Sequence, residues 1–283
     1  MENNKIKKSD FHPFIRFFVF LVVGIFTILT LYPLFWLALS SLKTTTEFMK
    51  NSMGWPLNPT LQNYPAAWER AQFTNLFINS LFFTVISTLA IIFLALMAGF
   101  AFAKIQSKAT PFLHGSFIMG ILLTLQSIMV PLFLAVNLVG LYNTRLGVLI
   151  PYVGMGLPIA IYLCTEYIRS IPDSVVDSAR IDGASYFRIF LNIIVPMAKP
   201  VAVTLAILNV AGTWNEFMLI NILVSSDALR TLPVGILKFT GTLVTDYGRM
   251  FAALNIGLIP MLIFYLLFRK QITKGVAAGA VKG

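Results

Sequence analysis

Six apolar stretches, near residues 17–42, 72–103, 113–139, 147–168, 201–223 and 250–268, constrain this chain more than any other feature. A helix rises 1.5 Å per residue, so about 20 apolar residues cross the ~30 Å hydrocarbon core of a bilayer. Each stretch is long enough to do so, and the longer ones have room to tilt or to extend past the core. Of 283 residues, 58% are hydrophobic and only 11% charged, with a mean hydropathy of +0.83. A soluble domain cannot hide that much apolar surface. The sequence therefore predicts an all-α polytopic membrane protein with six transmembrane helices.

The net charge of +10 is a signature shared with nucleic-acid binders, but here the basic residues fall in the gaps between apolar stretches. Membrane topology accounts for them, and the expected partner is the lipid bilayer, with no nucleic acid. With the amino terminus inside, 14 of the 21 Lys and Arg lie on inner segments and 7 on outer ones. That bias predicts both termini, and the segment 169–200, in the cytoplasm. The expected organisation is a cytoplasmic amino-terminal segment over 1–16, a membrane domain over 17–268 and a cytoplasmic tail over 269–283. The first apolar stretch is too long for a cleaved signal peptide and lacks a clear small-residue cleavage site. Cys164, the single cysteine, lies in an apolar stretch, and His12 and His114 are far apart, so neither a disulfide framework nor a metal site is expected. Gly147, Pro151, Gly154, Gly156 and Pro158 suggest a kinked packing helix for the fourth span, tolerable where neighbours satisfy the freed backbone, with a direct substrate-contacting role as the alternative.

The segment 169–200, RSIPDSVVDSARIDGASYFRIFLNIIVPMAKP, is polar between two oily neighbours. Pro172 and Asp173 suit a helix start, because a missing N–H is harmless there and a carboxylate caps free N–H groups. Val175, Val176 and Ala179 then share one face at helical spacing. Gly183 is placed to end that helix in the left-handed conformation. Ser185 can cap a second short helix with Phe187, Phe190 and Ile194 on its face, and Pro196 and Pro200 punctuate the return into the membrane.

This pattern resembles the cytoplasmic coupling loop, the Glu-Ala-Ala loop, of binding-protein-dependent ABC importer permeases. The family form is roughly Glu-Ala-Ala, three residues, then Gly, followed by a Phe-rich turn and Leu-Pro. The matching positions are Asp177, Ser178 and Ala179, then Asp182, Gly183 and Ala184, then Phe190 and Val195-Pro196, with the spacing intact. Asp177 replaces the usual Glu and Ser178 the first Ala. Further segments are similar to the carbohydrate branch: SLKTTTEF (41–48), PTLQNY (59–64), Asn79-Ser80, Trp214-Asn215-Glu216, LRTLPVG (229–235) and the closing GVAAGAVKG (275–283). The last two are close to the second permease subunit of maltose-type systems. The resemblance implies the MetI-like permease fold, with a cytoplasmic coupling helix, in a bacterial or archaeal cytoplasmic membrane. It also implies a homologous second permease, two ATPase subunits, an extracytoplasmic solute-binding protein and a carbohydrate cargo, with an oligosaccharide expected.

No G-x-x-x-x-G-K-[ST] phosphate loop occurs, so the chain holds no such cradle for ATP. The resemblance places ATP and Mg on the partner ATPase, gives this chain no cofactor and no catalytic residue, and assigns Asp177, Ser178, Ala179, Asp182, Gly183 and Ala184 to ATPase coupling. Glu216, a carboxylate in the fifth apolar stretch, is either a functional charge or a packing group bonded to another helix. Together with Trp214 and Asn215 it is a candidate for the translocation pathway, since aromatic faces suit the apolar faces of sugars. An ion-coupled secondary transporter using Glu216 is the alternative, although the internal symmetry such proteins favour is not evident. The resemblance also implies that the outer loop, about 225–249, reaches toward the binding protein, with Lys238, Phe239, Thr240 and Gly241 as candidates for the contact.

Overall fold

The computed structural model describes residues 13–105, 107–240 and 245–280, with side chains between 15 and 271. The helices in chain order are α1 (Pro13–Ser41), α2 (Thr45–Lys50), α3 (Asn63–Ala71), α4 (Phe73–Lys104), α5 (Thr110–Ile121), α6 (Leu125–Leu138) and α7 (Arg145–Arg169). They continue as α8 (Asp173–Ile181), α9 (Tyr186–Ile189), a π-helical turn (Phe190–Ile194), α10 (Val195–Met197), α11 (Lys199–Trp214), α12 (Met218–Leu223), α13 (Leu232–Gly235) and α14 (Tyr247–Ala280). The described residues contain no strand. In α1, α4, α7 and α14 a stretch of 25 residues or more is apolar enough to cross a membrane alone. Two bent pairs, α5 with α6 and residues 186–197 with α11, bring the number of spans to six if each pair is one span.

The bends are where the molecule departs from six plain rods. The third stretch, expected as one helix over 113–139, turns through 107° between α5 and α6. Thr124 there is extended, and its hydroxyl bonds to that of Ser127 at 2.5 Å. The polar run Thr124-Leu-Gln-Ser127 thus starts a new helix inside an apolar stretch. The fifth stretch, expected over 201–223, is α11, a break at 215–217, and then α12. Helix α1 begins at Pro13, inside the segment expected to precede the span, and α14 runs to Ala280, through most of the expected tail. The fourth span, by contrast, holds together as α7 with Pro151 and Pro158 inside it.

The chain divides into two compact units. The first takes residues 1–67 and 239–256. In its described part, Trp36, Phe48, Tyr247 and Phe251 form an aromatic cluster with centroid separations from 4.8 Å upward. Asn255 donates to the Leu37 carbonyl at 3.2 Å. Among the described residues, the outward face of α1 is apolar and exposed from Phe17 to Phe35.

The second unit takes residues 68–238 and 257–283. Its axis is the crossing of α4 and α7, where Ala95, Gly99 and Ala103 repeat at four-residue spacing. A Cβ at Gly99 would lie 2.7 Å from the Cys164 Cβ and 3.0 Å from backbone atoms of Cys164 and Thr165. Small residues let two membrane helices approach this closely, so dispersion contacts replace the missing hydrophobic drive. One core cluster gathers there, running from Ile91, Ala95 and Phe100 through Ala160 and Ile168 to Val176 and Ala179 of α8. A second cluster, nearer the start of α4, joins Phe83, Tyr152, Leu219, Ile220 and Val234.

Candidate functional site

Helix α8 is built as its residues predict. Pro172 precedes it and Asp173 is its first residue. Val176 and Ala179 are buried and Val175 packs against the same core, so one face is fixed to the unit. The helix ends in a complete Schellman motif: the Ala184 N–H donates to the Ala179 carbonyl at 2.9 Å and the Gly183 N–H to Arg180 at 3.0 Å. Gly183 has φ +78°, the left-handed region that favours glycine. Ser185 then caps α9 by accepting the Arg188 N–H at 3.3 Å. Of the six coupling candidates, Asp177, Ser178, Asp182 and Gly183 form one exposed surface. Ala179 and Ala184 face the core and hold that surface in place. Ile181 projects from the surface beside Asp177, and the Arg180 guanidinium stacks over the Tyr186 ring at 4.3 Å. Asp177 and Asp182 have no ion-pair partner among the described residues.

One expectation for the second short helix changes. Ile189, Phe190 and Ile194 take the buried positions, and Phe187 is exposed. A π turn over 190–194 resets which residues face inward, and Phe187 instead lines a shallow groove of about 220 Å³ with Met97, Phe100 and Ile105.

The base of α8 is held by a residue the sequence did not single out. Lys104, the last residue of α4, has a side chain only 3% exposed. Its ammonium donates at 2.5 Å to the Ile171 carbonyl and at 2.5 Å to the Asp173 carboxylate. It therefore ties the end of α4 to the exit of α7 and the first turn of α8. Being the first charge after a long apolar run was its only signal in the sequence.

Trp214, Asn215 and Glu216 fall together at the break after α11, with three different roles. Trp214 is buried and meets Phe77 edge-on at 5.9 Å, so its ring is not free to stack on a sugar, as the sequence had suggested. Asn215 is exposed and folds its amide back onto the Ala211 carbonyl at 2.8 Å. Glu216 is not inside a continuous helix. Its carboxylate accepts the Leu219 N–H at 2.7 Å and the Ile220 N–H at 3.3 Å, capping α12, and the Tyr152 hydroxyl of α7 at 2.7 Å. Three donors, two at a helix N-terminus, meet one buried-edge carboxylate. A chamber beside α6 and α7, about 500 Å³, is lined by Leu132, Val136, Ile150 and other apolar side chains, which offer few hydrogen bonds to a sugar.

The loop after α12 is anchored rather than free. The Asn143 carboxamide oxygen accepts the N–H groups of Ser225 and Ser226 at 3.1 and 2.9 Å. Asn79 donates to the carbonyls of Ala228 and Arg230, and Ser80 accepts the Leu232 N–H. Asp227 pairs with Arg230 at 2.9 Å and with Lys238 at 3.1 Å. Of the four candidates there, Lys238 is thus engaged, Phe239 is buried, Thr240 is exposed, and Gly241 lies outside the described residues.

The profile of a family described as the inner membrane component of binding-protein-dependent transport systems matches residues 8–276. The chain belongs to this family. The multiple sugar-binding transport system permease protein MsmG of Streptococcus mutans is 34% identical over 98% of this chain and 100% of its own length. The starch degradation products transport system permease protein AmyC of Thermoanaerobacterium thermosulfurigenes is 31% identical over 91% of this chain and 94% of its own. In structure, the chain is similar to a subunit of a bacterial ABC transporter involved in importing the acidic polysaccharide alginate. The TM-score is 0.79 at 22% identity, covering 92% of this chain and 98% of that one. A binding-protein-dependent permease is a non-catalytic, multi-pass membrane subunit that works with a solute-binding protein, an ATPase and a partner permease. Membership disfavours the ion-coupled alternative, and the three donors on Glu216 give that carboxylate a structural task within the permease.

Proposed function

We propose that this chain is one of two homologous permeases of a carbohydrate importer, and that α8 is its cytoplasmic coupling helix. Both chain termini then lie in the cytoplasm, and the 225–240 loop faces the binding protein. The observation that carries the reading is the surface of Asp177, Ser178, Asp182 and Gly183, exposed on a helix whose other face belongs to the permease core. The cargo class rests on relatives named for sugars and starch products, and an oligosaccharide is the preferred member. A solute-binding protein delivers cargo to the outer face, and two ATPase subunits bind ATP and Mg beneath. Their closure moves α8 as a rigid body with the helices packed on it, switching access between the two sides.

Asp177→Ala removes the carboxylate of this surface, and Gly183→Val forces a β-carbon into the left-handed region at about 1–2 kcal/mol. Among the described residues, none beyond its two chain neighbours lies within 4 Å of a Cβ at Gly183, so a further clash points to a partner. Both variants are expected to insert normally, to retain less ATPase on purification and to lose uptake. Wild-type ATPase retention and uptake in both overturns the coupling assignment. A ligand screen on the cognate binding protein tests the cargo: sugar binding supports the reading, and a preference for amino acids or peptides overturns it.

A further inference from the structure

We propose that residues 51–57 form a clip embedded in the bilayer at the boundary between acyl chains and headgroups, anchoring the end of α1 to lipid. The inference goes beyond the transport reading and depends on neither cargo nor ATPase. Its first support is position. After α1 ends at Ser41, the chain folds back alongside that helix rather than away from it. The Tyr32 hydroxyl donates to Met53 Sδ at 3.7 Å, Phe35 meets Trp55 edge-on at 5.9 Å, and Trp36 Nε1 donates to the Ser52 carbonyl at 3.0 Å. The apolar part of α1 has 27 residues, roughly 40 Å, against a core of about 30 Å. Centred on that helix, the core ends near residue 38, so the levels of Tyr32 and Phe35 fall within it.

The second support is chemistry. Met53, Trp55 and Leu57 are 69–77% exposed, continuing the apolar face of α1, and no charged residue occurs from Asn51 to Trp68. Tryptophan at this depth is the side chain that membrane interfaces favour.

The third is the backbone. A loop in water leaves its carbonyls to solvent, but at membrane depth irregular backbone needs internal partners. Here the buried Lys43 ammonium takes the carbonyls of Asn51 at 2.8 Å and Gly54 at 2.6 Å. Trp36 takes that of Ser52, the Asn51 side chain accepts the Gly54 N–H at 2.8 Å, and the Glu47 carboxylate accepts the Leu57 N–H. A lysine turned inward to gather carbonyls, beneath a row of outward apolar side chains, is the arrangement a lipid interface favours.

The test uses the full chain, with whatever subunits co-purify, in nanodiscs. The difference in tryptophan fluorescence between wild type and Trp55→Phe isolates Trp55 from the other three tryptophans. That signal is expected to fall about twofold with lipids brominated near the glycerol end of the acyl chain, and much less with aqueous acrylamide. Phe26→Trp in the Trp55→Phe background reports mid-membrane depth on α1, so failure of the clip is distinguishable from failure of the span. Quenching of Trp55 by acrylamide but not by lipid overturns the proposal in favour of a water-facing loop. Insensitivity to both overturns it in favour of cover by a partner subunit.

Discussion

The Glu216 carboxylate does at the scale of one residue what a whole turn of helix would otherwise do. Where α11 stops, the N–H groups of the next helix have no carbonyls to meet, and inside a membrane span water is not a general substitute. Two of them end on Glu216, and Tyr152 adds a third donor from α7. Hydrogen bonds to a charged group contribute about 1.5–3 kcal/mol each, so this carboxylate is a joint between helices. Glu216→Gln keeps an oxygen for one N–H but turns an amide donor toward another donor. It is expected to lower thermal stability of the detergent-solubilised complex by about 1–2 kcal/mol while folded complexes still transport. Glu216→Leu, with no acceptor, should lose more, and Tyr152→Phe less. Unchanged stability in Glu216→Gln with abolished uptake would instead make the charge itself part of transport.

At the scale of elements, the tightest joint is the crossing of α4 on α7. Gly99→Ile drives a branched side chain into Cys164 and the α7 backbone, so overpacking of about 1–3 kcal/mol is expected. Leu94→Ile, at an exposed site on the same helix, should leave the melting temperature nearly unchanged; equal behaviour of the two variants would refute the close crossing. Elements also divide what the sequence disclosed from what it did not. Pro172, Gly183 and Ser185 were legible because capping is local, decided within four residues by backbone conformation and a side-chain oxygen. The spans were legible by length and composition. The breaks at 122–124 and 215–217 were not, because hydropathy registers a bent pair and a straight rod alike. The tethering of Lys238 by Asp227 depends on how the loop between them folds, and the burial of Trp214 against Phe77 on a residue far away in the chain. Only the polar run Thr124–Ser127 hinted at one bend locally.

For the whole molecule, the question is how movement at α8 reaches the membrane helices. Val176 and Ala179 belong to the same core as α4, α7 and α11, and Lys104 closes the remaining side by bonding Ile171 and Asp173. The strap is nearly buried at its lysine end while Asp173 is exposed, so the carbonyl contact at Ile171 is the better shielded half. Lys104→Met keeps most of the side-chain length and removes the donor. The ATPase should remain bound to this variant, but ATP hydrolysis should no longer be matched by uptake, with transport per ATP falling several-fold. Lys104→Arg, which restores a donor, should recover part of it. A Lys104→Met complex that transports normally per ATP would reduce the strap to local packing.

The Tyr152–Glu216 pair also has a direction in time. Chains are made from the amino terminus and fold as they emerge, and Tyr152 is synthesised 64 residues before the carboxylate it serves. When Glu216 reaches the translocon, its hydroxyl partner is already waiting in an earlier span. The carboxylate of the later span thus arrives after the hydroxyl that receives it, so the order of synthesis gives Glu216 a partner as soon as it enters.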